Sequence, residues 1–415
     1  MKLSKLSFLA LLALAAPLAA GCSSSDASPP AVASDDNEIV DVPHTPVERQ
    51  SIGNCWIYAH ATWVESMHLA ATGESFDTSQ SYWTYWHWFD QVAGGFSSQI
   101  STGGNWSTAN NIIRKYGMMA GKDFVAADTT NEMSFRQKTA LDAMNASLKT
   151  GALKDSASRR DKNLVRKEMD RAWGLAPEVS ATLDKVFGAG ATRTFASTQP
   201  ASAAGTPILR GDDFKVSYAD GSGAAPQQKT LTQAMADWRE AFYSPSSQRP
   251  FLLRVQKALH ANQPVIISWF VDFNGLENRD GPLKGSFNLA TLKELGSGRQ
   301  GGHETVLKDY QAKLPDGRVL AAGTTLDPNK PADAALLASA LDPRTEIQFL
   351  RIKNSWGGAR PDRAFAPGMP GYHDLYLDYL NGPIKKCVET NDVTDDSNCP
   401  STVSPLQSIV LPPGF

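Results

Sequence analysis

The sequence predicts an α+β fold, in which helices come first along the chain and strands come later. Apolar residues after Cys55 recur with a helical period until Gly73, and further helical patterns begin near Ser79 and Ala109. From Pro264 onward, β-branched and aromatic runs typical of buried strands replace them. We therefore expect a helical half, a sheet-rich half and a site in the cleft between them.

The composition excludes one class of function at the outset. The chain has 415 residues, a formal net charge of −3, 41% hydrophobic and 20% charged residues, which is ordinary for a soluble globular protein. Nucleic-acid binding normally requires a basic excess, which this chain does not have. We also expect neither a metal nor a cofactor.

The first 22 residues have the pattern of a bacterial export signal. Two lysines precede an apolar run of about 15 residues, which is shorter than the roughly 20 that a membrane span needs. The end of the run resembles a lipoprotein signal, in which Cys22 is lipidated; the alternative is a plain secretory signal cleaved near Ala20. Residues 23–47 are then a flexible tether. These features place the protein in the bacterial cell envelope, lipid-anchored on the periplasmic or cell-surface side, or outside the cell as a secreted protein.

The remaining cysteines fall into two groups. Cys387 and Cys399 lie 12 residues apart in a polar C-terminal tail, residues 387–415. In an oxidising compartment this spacing indicates a disulfide, and the alternative is a pair of unpaired surface thiols. Cys55 is left over, and a free thiol in such a compartment needs a reason, which catalysis provides.

The helical half carries two further features. The aromatic-rich run 82–89 is typical of a protein core, with a sugar-binding or membrane-interface surface as the alternative. Gly103 and Gly104 precede the third helix and would let a ligand backbone approach closely, although an ordinary turn also uses such glycines. Residues 126–249 form an insertion with amphipathic helices, in which 201–229 is expected to be a loop.

Three predicted strands carry the polar residues of the second half. Trp269 and Asp272 lie on a strand that begins after Pro264, and His303 begins another strand after two glycines. Asn354 directly follows a third strand, residues 347–353.

These residue types suit nucleophilic catalysis by a thiol. Cys55 would open a helix, whose free N–H groups and dipole stabilise a thiolate, and His303 would form an ion pair with it. Asn354 would fix the imidazole ring, and Trp356 would shield their hydrogen bond from water. Gln50 would stabilise the oxyanion, and His303 would protonate the leaving amine.

The pattern as a whole resembles the papain-like cysteine peptidases. The motifs that carry this resemblance occur in the same order along the chain: Gln50-x4-Cys55-Trp56, Glu65, Gly103-Gly104, Gly302-His303 and Asn354-Ser355-Trp356-Gly357. The resemblance implies a papain-like fold over residues 48–386, with an N-terminal helical subdomain and a C-terminal antiparallel β-barrel-like subdomain. It also implies a peptide or protein substrate, with Gly103, Gly104, Gly302, Trp269 and Asp272 lining its subsites.

Within that group the chain is most similar to the bleomycin hydrolase and aminopeptidase C branch, through residues 79–82, 103–106 and 264–272 and the long insertion. It departs from that branch in four ways. Gln50 is one residue closer to the cysteine, Glu304 replaces a small residue, and a longer segment precedes Asn354. The C-terminal tail also differs, so aminopeptidase activity does not carry over.

The sequence therefore predicts an exported cysteine peptidase that forms an acyl-enzyme, with the endo- or aminopeptidase mode and the oligomeric state left open. Two other functions remain as alternatives. One is a catalytically silent papain-fold surface lipoprotein that binds a partner in its cleft. The other is an acyl transferase or cell-wall amidase that uses the same triad.

Overall fold

The computed structural model describes residues 42–197, 202–223, 225–390, 393–394 and 398–415, all within one compact unit, 37–415. The predicted export signal, its Cys22 and the tether as far as residue 41 lie outside the described residues. Within the described part of the chain, no helix is long and apolar enough to cross a membrane.

Thirteen α-helices are described: α1 Cys55–Thr72, α2 Gln80–Ala93, α3 Trp106–Tyr116, α4 Gly121–Phe124, α5 Phe135–Lys149, α6 Ser156–Arg160, α7 Lys162–Trp173, α8 Pro177–Phe187, α9 Leu231–Asp237, α10 Gln248–His260, α11 Leu289–Leu295, α12 Pro331–Ala340 and α13 Leu377–Asn381.

The described strands are β1 Met118–Met119, β2 Ile208–Leu209, β3 Lys215–Tyr218, β4 Gln227–Thr230, β5 Arg239–Phe242, β6 Val265–Asp272, β7 Ser286–Phe287, β8 Gln300–Lys313, β9 Val319–Leu320, β10 Glu346–Lys353, β11 Tyr372–Tyr376, β12 Ile384–Lys386, β13 Glu389–Thr390, β14 Val393–Thr394, β15 Ser401–Val403 and β16 Leu406–Leu411.

The sequence correctly predicts where α1 ends, which residue caps α2, and the end of α3 at Gly117; α3 begins at Trp106, three residues before the predicted pattern. Gly73 ends α1 in the left-handed conformation, φ 73°, which a residue without Cβ adopts at little cost. The Ser79 side chain caps α2 by accepting a hydrogen bond from the N–H of Tyr82. The aromatic run on α2 is core, because its six rings are all nearly or fully buried: Tyr82, Trp83, Tyr85, Trp86, Trp88 and Phe89.

The second half is built on an eight-stranded, mostly antiparallel sheet. Its hydrogen-bonded order is β5, β16, β6, β8, β10, β11, β7, with β9 paired to β8. Among the described residues no strand pairing joins β5 to β7, so the sheet stays open instead of closing as a barrel. The last strand of the chain, β16, lies between β5 and β6. The C-terminal segment is thus part of the sheet as well as a tail.

The described residues of the range 201–229 differ from the predicted loop. They contain β2 and the antiparallel pair of β3 and β4, in which Lys215 faces Thr230 and Tyr218 faces Gln227. The side chains of Val216 and Tyr218 are buried in the helical core. Polar composition concealed this hairpin, because only a few of its side chains reach the core.

The strands that carry the predicted catalytic residues are neighbours. β8 pairs with β6 on one side and with β10 on the other. His303 lies near the start of β8, and Asn354 follows the last residue of β10. The longer segment between them forms the hairpin of β8 and β9 and also α12.

Candidate active site

Cys55 is the first residue of α1, and three backbone N–H groups interact with its sulfur. Two of them, from Cys55 and Trp56, belong to the unpaired amides at the start of the helix, and the third, from Glu304, belongs to β8. All three favour the thiolate. Cys55 is partly exposed and is the only free cysteine among the residues that the structure describes. The thiol therefore lies where α1 meets the strand of His303.

His303 is paired with Asn354. The imidazole Nε2 lies 2.9 Å from the Asn354 Oδ1, and both residues are buried. Because this oxygen also accepts the backbone N–H of Ser355 at 2.8 Å, it faces two donors. The Asn354 amide nitrogen points the other way, to the Nδ1 of His373 at 3.3 Å.

These contacts fix the form of the imidazole. Burial lowers the pKa of His373 to about 3, so its neutral ring accepts the Asn354 amide hydrogen. The Asn354 oxygen must then face His303, whose Nε2 carries the hydrogen that it donates. The Nδ1 of His303 is left as the basic nitrogen, available to a thiol or to a leaving amine.

Two tryptophans hold the imidazole in place. Trp356 stacks on His303 with ring centroids 4.8 Å apart and an angle of 19°. Trp269 faces His303 across β6 and β8 and contacts it edge-on at 5.6 Å. Trp356, expected to shield the hydrogen bond to Asn354, is itself buried.

Gln50 is held in the loop before α1 by both ends of its amide. Its Nε2 donates to the Ile52 carbonyl at 2.7 Å, and its Oε1 accepts from the Ser355 hydroxyl at 2.6 Å. An amide nitrogen carries two hydrogens, so one remains for an oxyanion. The contact with Ser355 also ties this loop to the segment of Asn354.

The three glycines predicted to line subsites are exposed, but they differ in what they pack against. A Cβ on Gly104 would lie 2.4 Å from the Trp56 indole, so this position needs glycine for packing. A Cβ on Gly302 would meet no atom within 4 Å, and Gly103 is nearly as open. These two positions therefore leave free space, and Gly302 does so directly before His303.

Trp269 and Asp272 do not match the expectation that they line subsites. Both side chains are fully buried and cannot contact a peptide in a cleft. Trp269 packs behind the imidazole of His303. Asp272 accepts hydrogen bonds from the backbone N–H groups of Asn274 and Gly298, so it shapes the turn that precedes β8.

Glu304 lies beside both predicted catalytic residues, Cys55 and His303, and its carboxyl group points into the protein. Its Oε1 accepts a hydrogen bond from the Ser268 hydroxyl at 3.1 Å, and its Oε2 lies 3.9 Å from the Nδ1 of His60 without forming one. His60 uses that nitrogen to donate to the Trp56 carbonyl. Burial raises the pKa of Glu304 to about 8, so the carboxyl group is neutral at pH 7.

The predicted thiolate–imidazolium pair stays a prediction, and the burial of its two members opposes it. Burial raises the pKa of the Cys55 thiol to about 12, and the Glu304 carboxylate adds to that rise. Burial lowers the pKa of His303 to about 4, and the positive charge of Arg363 acts in the same direction. Burial therefore favours the neutral form of both groups at pH 7.

A buried charged network lies behind the predicted triad, and sequence reasoning missed it. The Lys353 ammonium donates to the hydroxyls of Thr45 and Thr62, each at 3.1 Å, and Thr45 donates to Glu65 at 2.5 Å. Burial lowers the pKa of Lys353 and raises that of Glu65. Lys353 directly precedes Asn354, and Glu65 belongs to the predicted motif, but only the fold brings them together.

Two other features concern the predicted cysteine pair and metal binding. Cys387 and Cys399 are joined in a disulfide. In the part of the chain that the structure describes, no group of three or more histidine, cysteine, aspartate or glutamate residues could hold a metal ion.

No family model matches this chain. No curated protein matches its sequence. Among solved structures, it is similar to PepW from Lactobacillus rhamnosis, with 12% identity and a TM-score of 0.42 over 90% of this chain and 81% of that chain. It is also similar to xylellain, a cysteine protease from Xylella fastidiosa, and to the bromelain protease from Ananas comosus. Xylellain is 12% identical, with a TM-score of 0.35 over 90% of this chain and 85% of xylellain. Bromelain is also 12% identical, with a TM-score of 0.31 over 89% of this chain and 94% of bromelain. Because these TM-scores lie below 0.5, the function must be inferred from the residues of this chain itself.

Proposed function

We propose that this protein is a cysteine peptidase that hydrolyses peptide bonds through Cys55, His303 and Asn354. The observation that carries the proposal is the pairing of His303 with Asn354 beneath Trp356, beside a cysteine that opens a helix. This arrangement supplies a nucleophile, a base and a group that orients the base.

The reaction begins from a neutral thiol and a neutral imidazole. As the Cys55 sulfur attacks the substrate carbonyl, its proton passes to the Nδ1 of His303, and the imidazolium is stabilised by Asn354. The free Nε2 hydrogen of Gln50 and the backbone N–H of Cys55 stabilise the oxyanion. His303 then gives its proton to the leaving amine, and water hydrolyses the acyl-enzyme.

Export belongs to the same proposal. The pattern of residues 1–22 supports lipidation of Cys22 and a place in the bacterial cell envelope, with residues 23–47 as the tether. The disulfide between Cys387 and Cys399 supports an oxidising compartment, because such bonds persist there.

A catalytically silent binding protein is the second candidate, and one observation favours it. Glu304 raises the pKa of the Cys55 thiol when its carboxyl group is ionised, which works against a nucleophile. A binding cleft has no need of a reactive thiol.

Peptide hydrolysis separates the two candidates. Wild-type protein, Cys55→Ala and His303→Ala are incubated with a randomised peptide library at pH 7, and new termini are identified by mass spectrometry. Cleavage that is present only in the wild type supports the peptidase. Cleavage that persists in Cys55→Ala refutes the assigned nucleophile, and the absence of cleavage in all three folded proteins favours the binding protein. Free amines added to the same reaction test for acyl transfer, because transfer products cannot arise from hydrolysis alone.

A further inference from the structure

Positively charged side chains gather around the aromatic rings beside His303. The Arg363 guanidinium lies 4.3 Å from the ring centroid of Trp356, the same ring that stacks on the imidazole. Phe273 stacks on Trp356 at 5.2 Å and has guanidinium groups on it from both Arg363, at 4.9 Å, and Arg299, at 4.6 Å. The aromatic faces hold these cations close to the catalytic base.

The local charge is positive although the whole chain carries a net charge of −3. Arg49, Arg299 and Arg360 all act electrostatically on Arg363, whose pKa burial lowers to about 10. The nearest carboxylate, Asp362, accepts a hydrogen bond from Arg360 and lies 3.8 Å from Arg363. A second carboxylate, Glu132, acts on Arg360. The guanidinium groups of these four arginines are therefore accompanied by only two carboxylates, Asp362 and Glu132.

Arg363 has donors to spare. Its side chain is 14% exposed, and within the described ranges no hydrogen bond from its guanidinium is formed. It borders a cavity of about 700 Å³, whose wall also includes Arg360 and the Lys284 and Asp280 pair. Arg299 is exposed and forms no ion pair with any residue that the structure describes. A guanidinium group is planar and has five N–H donors, so one with few partners in the protein is suited to binding a carboxylate.

The position of these arginines indicates which part of a substrate they would meet. His303 protonates the leaving amine, so the segment C-terminal to the scissile bond must pass the imidazole. Trp356 is the next ring beyond the imidazole, and Arg363 lies on that ring. We propose that the cleft prefers peptides with acidic side chains directly C-terminal to the scissile bond, recognised by Arg363 and Arg299. This inference deepens the proposed peptidase function and rests on it.

An acidic residue here would also assist the chemistry. The charge of Arg363 disfavours the imidazolium of His303. A carboxylate paired with Arg363 offsets that effect at the moment when His303 accepts a proton. The preference should therefore appear in kcat as well as in KM.

The first measurement is binding, which does not depend on turnover. Labelled tetrapeptides with two glutamates, two glutamines or two lysines are titrated into the Cys55→Ala protein. We expect the diglutamate peptide to bind about fivefold more tightly than the diglutamine peptide in low salt, and the difference to shrink at high salt. Arg363→Gln and Arg299→Gln should each reduce the preference. Arg318→Gln, on the turn after β8, is the matched control and should leave it unchanged.

The second measurement is the rate of peptide cleavage by proteins with Cys55 intact. The peptides carry glutamate, glutamine or lysine directly after the scissile bond. Binding that ignores charge, or a preference that survives both Arg363→Gln and Arg299→Gln, would overturn the inference. Arg299→Gln keeps this test valid even if Arg363→Gln disturbs Trp356, because Arg299 is exposed. A charge preference in binding without cleavage of any peptide would refute the peptidase and retain the acidic-peptide site. Cleavage without a charge preference would support the peptidase and refute the acidic-peptide site.

Discussion

Replacing Glu304 by glutamine should make Cys55 more reactive, but only at alkaline pH. The substitution keeps the side-chain size, the acceptor for Ser268 and the backbone N–H that interacts with the Cys55 sulfur. It removes a carboxyl group whose pKa burial raises to about 8. In the wild type this group is neutral below that pH and negative above it, where it opposes the thiolate.

The size of the effect follows from Coulomb's law. If the separation of the carboxylate from the sulfur is taken as about 6 Å and the effective dielectric constant as about 20, the carboxylate disfavours the thiolate by about 3 kcal/mol. This energy corresponds to a change of about two units in the pKa of the thiol. The thiolate of a more acidic thiol is also a weaker nucleophile, which cancels about half of the two-unit gain on a logarithmic scale. Alkylation of Cys55 should therefore accelerate about tenfold.

The assay is the rate of alkylation of Cys55 by iodoacetamide between pH about 6 and 10, followed by intact mass. We expect Glu304→Gln and wild type to react at similar rates below pH about 7. Their ratio should rise through pH about 8 to about ten. Glu277→Gln, which removes a carboxylate held by Arg279, is the control and should match the wild type throughout. A ratio that stays constant across pH 8 would refute the reasoning.

The same substitution should change how stability depends on pH. The folded pKa of Glu304, about 8, lies above its ordinary value of 4.5. Its protonated form therefore stabilises the fold fully below pH about 4.5, and this contribution is lost as pH rises through about 8. The loss between pH about 4.5 and 8 lowers the free energy of unfolding by at most about 5 kcal/mol. In thermal unfolding, the Tm of Glu304→Gln relative to wild type should increase from pH about 5 to 8. A Tm difference between the two proteins that stays constant over this pH range would contradict the prediction.

Three further predictions test the surroundings of the site. Asn354→Ala should lower kcat by about 10- to 100-fold with little change in KM, because His303 loses its orienting partner; steady-state kinetics of peptide hydrolysis would show an unchanged kcat if this is wrong. Lys353→Met should destabilise the fold by about 3 kcal/mol, since Glu65 loses its buried counter-charge, and urea unfolding measures this. Gly104→Ala should cost about 1–3 kcal/mol, because its Cβ would overlap the indole beneath it, and the same unfolding assay would contradict the packing argument if stability were unchanged.

The sequence predicts those parts of the site that depend on local pattern. Cys55 precedes a helical period that ends at a glycine, and Asn354 follows a β-branched run, so the elements that carry both can be predicted. The pairing of His303 with Asn354 is a hypothesis from residue chemistry, and the structure places the two side chains in contact.

What the sequence could not predict depends on contacts between distant segments. β16 falls within the predicted tail because prolines and cysteines surround it, and nothing local indicates that it pairs between β5 and β6. The burial of Glu304 and the stacking of Arg363 on Trp356 likewise arise from tertiary packing. The burial of Cys55 and His303, which favours their neutral forms, is likewise not encoded by a motif.

The formation of an acyl-enzyme on Cys55 tests the central claim most directly. The full chain is mixed with an activated peptide ester at pH 7, quenched in acid at short times and analysed by intact mass and peptide mapping. We predict a single acyl group on Cys55 that appears and then disappears, and acylation at least about 100-fold slower in His303→Ala. A folded protein that forms no acyl-enzyme, or one whose His303→Ala variant is acylated at the wild-type rate, would contradict the assignment of Cys55 and His303 as a catalytic pair.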